Sequence, residues 1–128
     1  MEARLMMIIP SMGRPDAALA AARSALDNAV LPTTAVQVAV DGPHDNEQRD
    51  AYLAITRSGD ISLSIGGPHR GMVATLNYQA AMLLGSELAV DHQCHWRGCD
   101  HITYVGFMGD DHRVRTPGWD QILTDAAG

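Results

Sequence analysis

The chain has 128 residues, 46% of them hydrophobic and 19% charged, which is enough for one domain spanning 1–128 with a core of its own. The net charge of −6 argues against broad binding to a nucleic-acid backbone, which takes clustered basic residues. All nine basic residues are Arg, so lysine Schiff-base chemistry and a P-loop lysine are excluded, and no apolar run approaches the length of a membrane span.

In chain order, the apolar run Leu5 to Ile9 predicts a strand buried on both faces and stopped by Pro10. Its flanks are acidic as well as basic, so it reads as a first strand and not as a signal peptide. Pro15 to Ala29 predicts a helix, with Pro15 in its first turn and Leu19, Ala22, Leu26 and Val30 at helical spacing. Val36, Val38 and Val40 alternate as a second strand that ends in the turn Asp41-Gly42-Pro43. Asn46 to Arg57 predicts a more polar helix. Asp60 to Ile65 alternates as a third strand, half exposed or near an edge. The loop Gly66 to Gly71 leads into a helix over Met72 to Leu84. Ser86 to Asp100 is irregular, and His101 to Met108 predicts a fourth, buried strand. Thr116 and Pro117 suit the cap and first residue of a short helix through Leu123.

Alternating strands and helices imply a mostly parallel sheet with helices on its faces. Ligands of such sheets bind outside the carboxyl ends of the strands. That end gathers the loops 10–14, 41–45, 66–71 and 109–115. Gly109-Asp110-Asp111 sets two carboxylates side by side, and a divalent cation with oxygen ligands, Mg²⁺ or Mn²⁺, would keep both ionised; a solvated acidic turn is the plainer alternative. Asp41 suits a ribose hydroxyl or base N–H, or equally an Asx turn. Gly13 and Arg14 in Ser11-Met12-Gly13-Arg14 offer close backbone approach and a planar cation to a base or phosphate, or form a tight turn with a surface Arg. Arg70 precedes a helix N-terminus and suits a diphosphate, and Asn77 suits a structural or ligand-positioning hydrogen bond.

Cys94, His95, Cys99 and His101 could in principle hold zinc, but their spacing is not that of a finger, and a loop with incidental thiols is the simpler account. Two cysteines make no disulfide framework and suit a reduced, cytoplasmic protein. Trp119 suits either a sugar face or a hydrophobic anchor for the last helix.

Four segments together resemble the nucleotide-binding half of GT-A-fold glycosyltransferases of the family-two-like group, particularly its short phage and bacterial members. They are Ile8-Ile-Pro-Ser-Met-Gly-Arg14, Val40-Asp-Gly42, Arg70-Gly-Met-Val-Ala-Thr-Leu-Asn77 and Phe107-Met-Gly-Asp-Asp-His-Arg-Val-Arg-Thr-Pro-Gly-Trp-Asp120. They occur in the family's order across nearly the whole chain, and the last is the most specific. The resemblance implies a Rossmann-like, three-layer α/β/α fold, a nucleoside-diphosphate sugar donor (a UDP-sugar foremost) and a Mn²⁺ or Mg²⁺ cofactor. It implies that Pro10, Ser11 and Arg14 line the base pocket, that Asp41 contacts base or ribose, and that Arg70 lies toward the diphosphate. Asp111 matches the second carboxylate of the family's Asp-x-Asp and is the expected metal ligand. Gly109 stands where that motif has its first carboxylate, and Asp110 would assist through water or ribose.

Family members usually continue into an acceptor-binding half that carries the general base, and no residue here is assigned that role. The chain therefore reads as a glycosyltransferase or its donor-binding half. The alternative is a non-catalytic module of the same fold that binds a nucleotide or a partner. An apolar fourth strand with an open edge at 101–108 would favour pairing with a second chain.

Overall fold

The computed structural model describes residues 5–42, 45–65, 71 and 104–127. Four parallel strands, β1 (Leu5–Ser11), β2 (Ala35–Val40), β3 (Ile61–Ile65) and β4 (Tyr104–Phe107), lie in the order β3-β2-β1-β4. Helix α1 (Pro15–Asp27) connects β1 to β2, and α2 (Asn46–Ala54) with a 3₁₀ turn at Ile55–Ser58 connects β2 to β3. Helix α3 (Trp119–Ala127) follows β4. The architecture is the α/β, Rossmann-like sheet that the alternation of strands and helices predicts. The expected helix over 72–84 and the cysteine-histidine segment 94–101 lie outside the described residues. No described helix is long and apolar enough to cross a membrane.

All seven residues of β1 are buried, as a central strand requires. Met7, Ile9, Val36, Val38 and Val40 share one face and form the main core with α1, Tyr52 of α2 and Trp119 of α3. Met6, Ile8 and Ala39 form a second buried cluster, so both faces of the central strands are interior. Pro10 does not end β1, which runs on to Ser11. Ser11 O accepts from Asp41 N toward β2, so the neighbouring Pro10 nitrogen points toward β4. Pairing with β4 stops at Ile8–Phe107, and the missing N–H therefore breaks no ladder bond.

Three other expectations need correction. Helix α1 buries Ala18, Ala21, Ala22 and Ala25, whereas Leu19 and Val30 are exposed. The small residues at i, i+3, i+4 and i+7 let the helix lie close on the valine-rich sheet, and the longer side chains cover its flanks. β4 is half-buried rather than buried, because among the described residues it pairs on one side only, with β1. The last helix begins at Trp119, not Pro117: Gly118 takes a left-handed φ of 75°, and its carbonyl accepts the first helical bond, from Ile122 N at 3.0 Å. Strand β3 does end the described sheet and is half-buried, as its alternation suggests.

Candidate functional site

The carboxyl ends of β1, β2 and β4 meet at one edge of the fold. Asp41 N donates to Ser11 O at 3.0 Å, which ties the end of β2 to the end of β1. Met108 N donates to Ile8 O at 3.1 Å, the last sheet bond before the 109–112 turn, and His112 N closes that turn onto Gly109 O at 3.1 Å. Chain segments far apart in sequence are thus fixed within a few ångströms of one another.

At the centre of this edge is Asp110, buried at 5% exposure although it is a carboxylate at a strand end. Burial of such a group requires partners. Ser11 Oγ donates to its Oδ2 at 2.9 Å, and the Arg14 guanidinium pairs with its Oδ1. Ser11 in turn lies 2.7 Å from the hydroxyl of Tyr52, and Arg14 N donates to the same hydroxyl at 3.0 Å. Three of the residues expected from sequence, Ser11, Arg14 and Asp110, are brought into one network. Tyr52 is a fourth member that sequence reasoning missed. Its sequence signal is a large aromatic in a mostly polar helix, at the position of α2 that turns inward.

Asp41 forms a second focus. It is buried, and its Oδ2 accepts from Gly71 N at 2.8 Å, which links the end of β2 to Gly71. Pro10 lies in the buried end of β1, next to Ser11. Arg70 and Asn77 lie outside the described residues.

Asp111, next to Asp110, points the other way. Its side chain is 64% exposed, and its Oδ1 lies 3.1 Å from Nδ1 of the equally exposed His112. Both side chains fold back over Gly109: a Cβ built there would stand 2.7 Å from Asp111 Oδ1 and 2.8 Å from His112 Nδ1. Arg113 Nη1 donates to the carbonyls of Asp110 at 2.9 Å and His112 at 2.7 Å, which braces the turn from outside. Among the described residues no three His, Cys, Asp or Glu side chains converge on one point. A solvent-facing carboxylate of this kind fits the usual mode of Mg²⁺ or Mn²⁺ binding, in which one or two protein carboxylates act with ligand phosphates and water.

Asp120 and Trp119 lie away from this edge, against the end of α1 and the loop before β2. Trp119 is a core residue, and its Nε1 donates to Ala25 O at 2.8 Å, so it anchors α3 and is not available to a sugar face. Asp120 is fully buried and accepts from Val30 N, Leu31 N and Thr34 Oγ1, at 3.0, 2.9 and 2.6 Å. Burial alone would raise its pKa, but these hydrogen bonds outweigh burial and hold the carboxyl below its ordinary value. Asp120 is therefore a structural anchor between α3 and the loop before β2.

The fold has solved counterparts. The chain aligns over 97% of its length with a crystal structure of S. aureus TarS, a glycosyltransferase, at a TM-score of 0.58 and 16% identity. It aligns over 97% with a structure of S. aureus TarS residues 1–349 at 0.52 and 15%. It spans 19% and 31% of those two chains. At this identity the likeness is one of fold alone. No protein-family model and no curated protein matches the sequence.

Proposed function

We propose that this chain is the donor-binding part of a glycosyltransferase that uses a nucleoside-diphosphate sugar, a UDP-sugar foremost, with Mn²⁺ or Mg²⁺. The observation that carries the reading is the meeting of Ser11 and Arg14 from the first strand's loop with Asp110 from the fourth, beside Asp41, at the carboxyl ends of parallel strands. Open parallel sheets bind their ligands at that end. The glycosyltransferase-like fold and the segment Gly109-Asp110-Asp111 support the same reading.

In this reading the base and ribose lie against the loops after β1 and β2. Asp41 accepts from ribose or base, and the Arg14 guanidinium, more than half exposed while it pairs with Asp110, offers its free edge to the ligand. Asp111 would hold the metal from the water-facing side, with Asp110 behind it fixing the turn. The metal supplies positive charge against a diphosphate leaving group. The acceptor and the general base are assigned to none of the described residues.

Thermal melting with UDP, with and without Mn²⁺, tests the reading. Ligand at about 100 times its Kd stabilises a folded protein by about 2.7 kcal/mol, a rise in Tm of about 10 °C for a chain of this size. The expected result is a UDP shift that grows with Mn²⁺ and loses its metal dependence in Asp111→Ala. No shift with any nucleoside diphosphate would overturn the reading.

A further inference from the structure

Tyr52 is the largest fully buried side chain among the described residues, and it comes from a helix that otherwise exposes most of its length. Its ring belongs to the core beneath the sheet, while its hydroxyl reaches the site network. The number of protons fixes the direction of that network. Arg14 N can only donate, so Tyr52 Oη accepts from it at 3.0 Å. The single hydroxyl proton of Tyr52 then goes to Ser11 Oγ, 2.7 Å away. Ser11 has one proton left, and it goes to Asp110 Oδ2 at 2.9 Å; the Arg14 carbonyl, at 3.5 Å, is the weaker acceptor. The Arg14 guanidinium pairs with the other oxygen of Asp110. The chain of bonds therefore starts at the backbone of Arg14 and returns to its side chain, and it closes a ring through Tyr52, Ser11 and Asp110.

Such a ring has one favourable arrangement, because the backbone donor at Arg14 and the carboxylate acceptor at Asp110 fix the direction of the bonds between them. It also joins the two loops that the donor reading assigns to opposite ends of the nucleotide: the base-side loop after β1 and the acidic turn after β4. We infer that Tyr52 is a positioning residue of the donor site, and that it acts through Ser11 to hold Arg14 and Asp110 in ligand-ready geometry. This inference rests on the donor-binding reading above.

Tyr52→Phe keeps the buried ring and removes only the hydroxyl. Ser11→Ala breaks the same ring at its next member. In the ligand-free protein, amide hydrogen exchange at Arg14 rises in Tyr52→Phe while the amides of β1 keep their protection; unchanged exchange at Arg14 would overturn the ring itself. Titration calorimetry with UDP in the presence of Mn²⁺ gives the second readout. Each single variant loses about tenfold in affinity, the scale of one or two hydrogen bonds. The double variant is no weaker than the weaker single, because both break one pathway. A residue with a merely structural role would lower Tm and leave the affinity of the folded protein unchanged. Equal binding by wild type and Tyr52→Phe, or losses that multiply in the double variant, would overturn the inference and leave the donor reading standing. Absence of UDP binding by the wild type would overturn both.

Discussion

The two adjacent carboxylates after β4 are predicted to behave in opposite ways when truncated. In Asp110→Ala the Ser11 hydroxyl loses its acceptor inside the fold. A buried donor left without a partner costs about 1–3 kcal/mol. The Arg14 guanidinium is more than half exposed and returns to water, which adds no more than about 1 kcal/mol. The sum is about 1–4 kcal/mol. An unfolding entropy of about 2.1 cal/mol/K per residue, over 128 residues, gives about 0.27 kcal/mol/K, so Tm falls by about 4–15 °C. Asp111→Ala removes an exposed side chain whose ion pair is with an exposed histidine, and such surface changes stay within about 0.5 kcal/mol, or about 2 °C. Scanning calorimetry without ligand reads both numbers. The same samples with UDP and Mn²⁺ read the functional half, where Asp111→Ala loses the metal-dependent rise despite its near-native Tm. Equal losses of Tm in the two variants would refute the assignment of an inward and an outward carboxylate. Full metal dependence in Asp111→Ala would refute its role as the ligand.

Asp120→Ala leaves Val30 N, Leu31 N and Thr34 Oγ1 without their acceptor and should cost about 3–5 kcal/mol, the scale of a broken buried charged network; urea unfolding measures it, and a loss below about 1 kcal/mol would count against the anchor. The same carboxyl makes stability depend on pH: its folded pKa lies below the unfolded value, so its contribution is complete above about pH 4 and disappears as pH falls through the folded value. Asp60, held down to about 2 mainly by the Arg23 hydrogen bond and also by Ser58, works in the same direction but near the surface, so between pH 4 and 2 the urea midpoint should fall less steeply in Asp120→Asn than in wild type, with Asp60→Asn nearly as steep as wild type. Ala22→Leu forces a larger side chain between α1 and the sheet and should cost about 1–3 kcal/mol, whereas Leu19→Ala on the exposed flank should cost about 0.5 kcal/mol or less; the reverse order would refute the alanine face.

What could be read in the sequence, and what could not, divides by range of interaction. The apolar run of β1 and the alternating valines of β2 announce strands because burial on both faces, or on one, writes its period directly into the residues. The direction of the sheet followed from the alternation of strands with helices, and it placed Ser11, Arg14, Asp41 and Asp110 at one end. The buried face of α1 was misread because hydrophobicity favours Leu19 and Val30 over alanine, whereas close packing on a sheet rewards small side chains. Tyr52 and Asp120 have partners 41 and about 90 residues away, and no local pattern marks such contacts. Trp119 could have gone either way, since its ring suits a sugar as well as a core, and the hydrogen bond to Ala25 decided it.

The division of labour between Asp110 and Asp111 depends on a residue with no side chain. In the Asp-x-Asp pattern that the sequence resembles, position 109 would carry a carboxylate. Here the space beside Gly109 is filled by Asp111 Oδ1 and His112 Nδ1, both closer to the absent Cβ than real contacts allow. A carboxylate at 109 would displace both groups and set a like charge against Asp111. With glycine there, the turn tightens to its 3.1 Å bond between His112 N and Gly109 O, and Asp110 is drawn in toward Ser11 and Arg14. Loss of the first carboxylate and burial of the middle one are thus two sides of one local geometry. Asp110 braces the loop after β1 from inside, and Asp111 turns its carboxylate toward water.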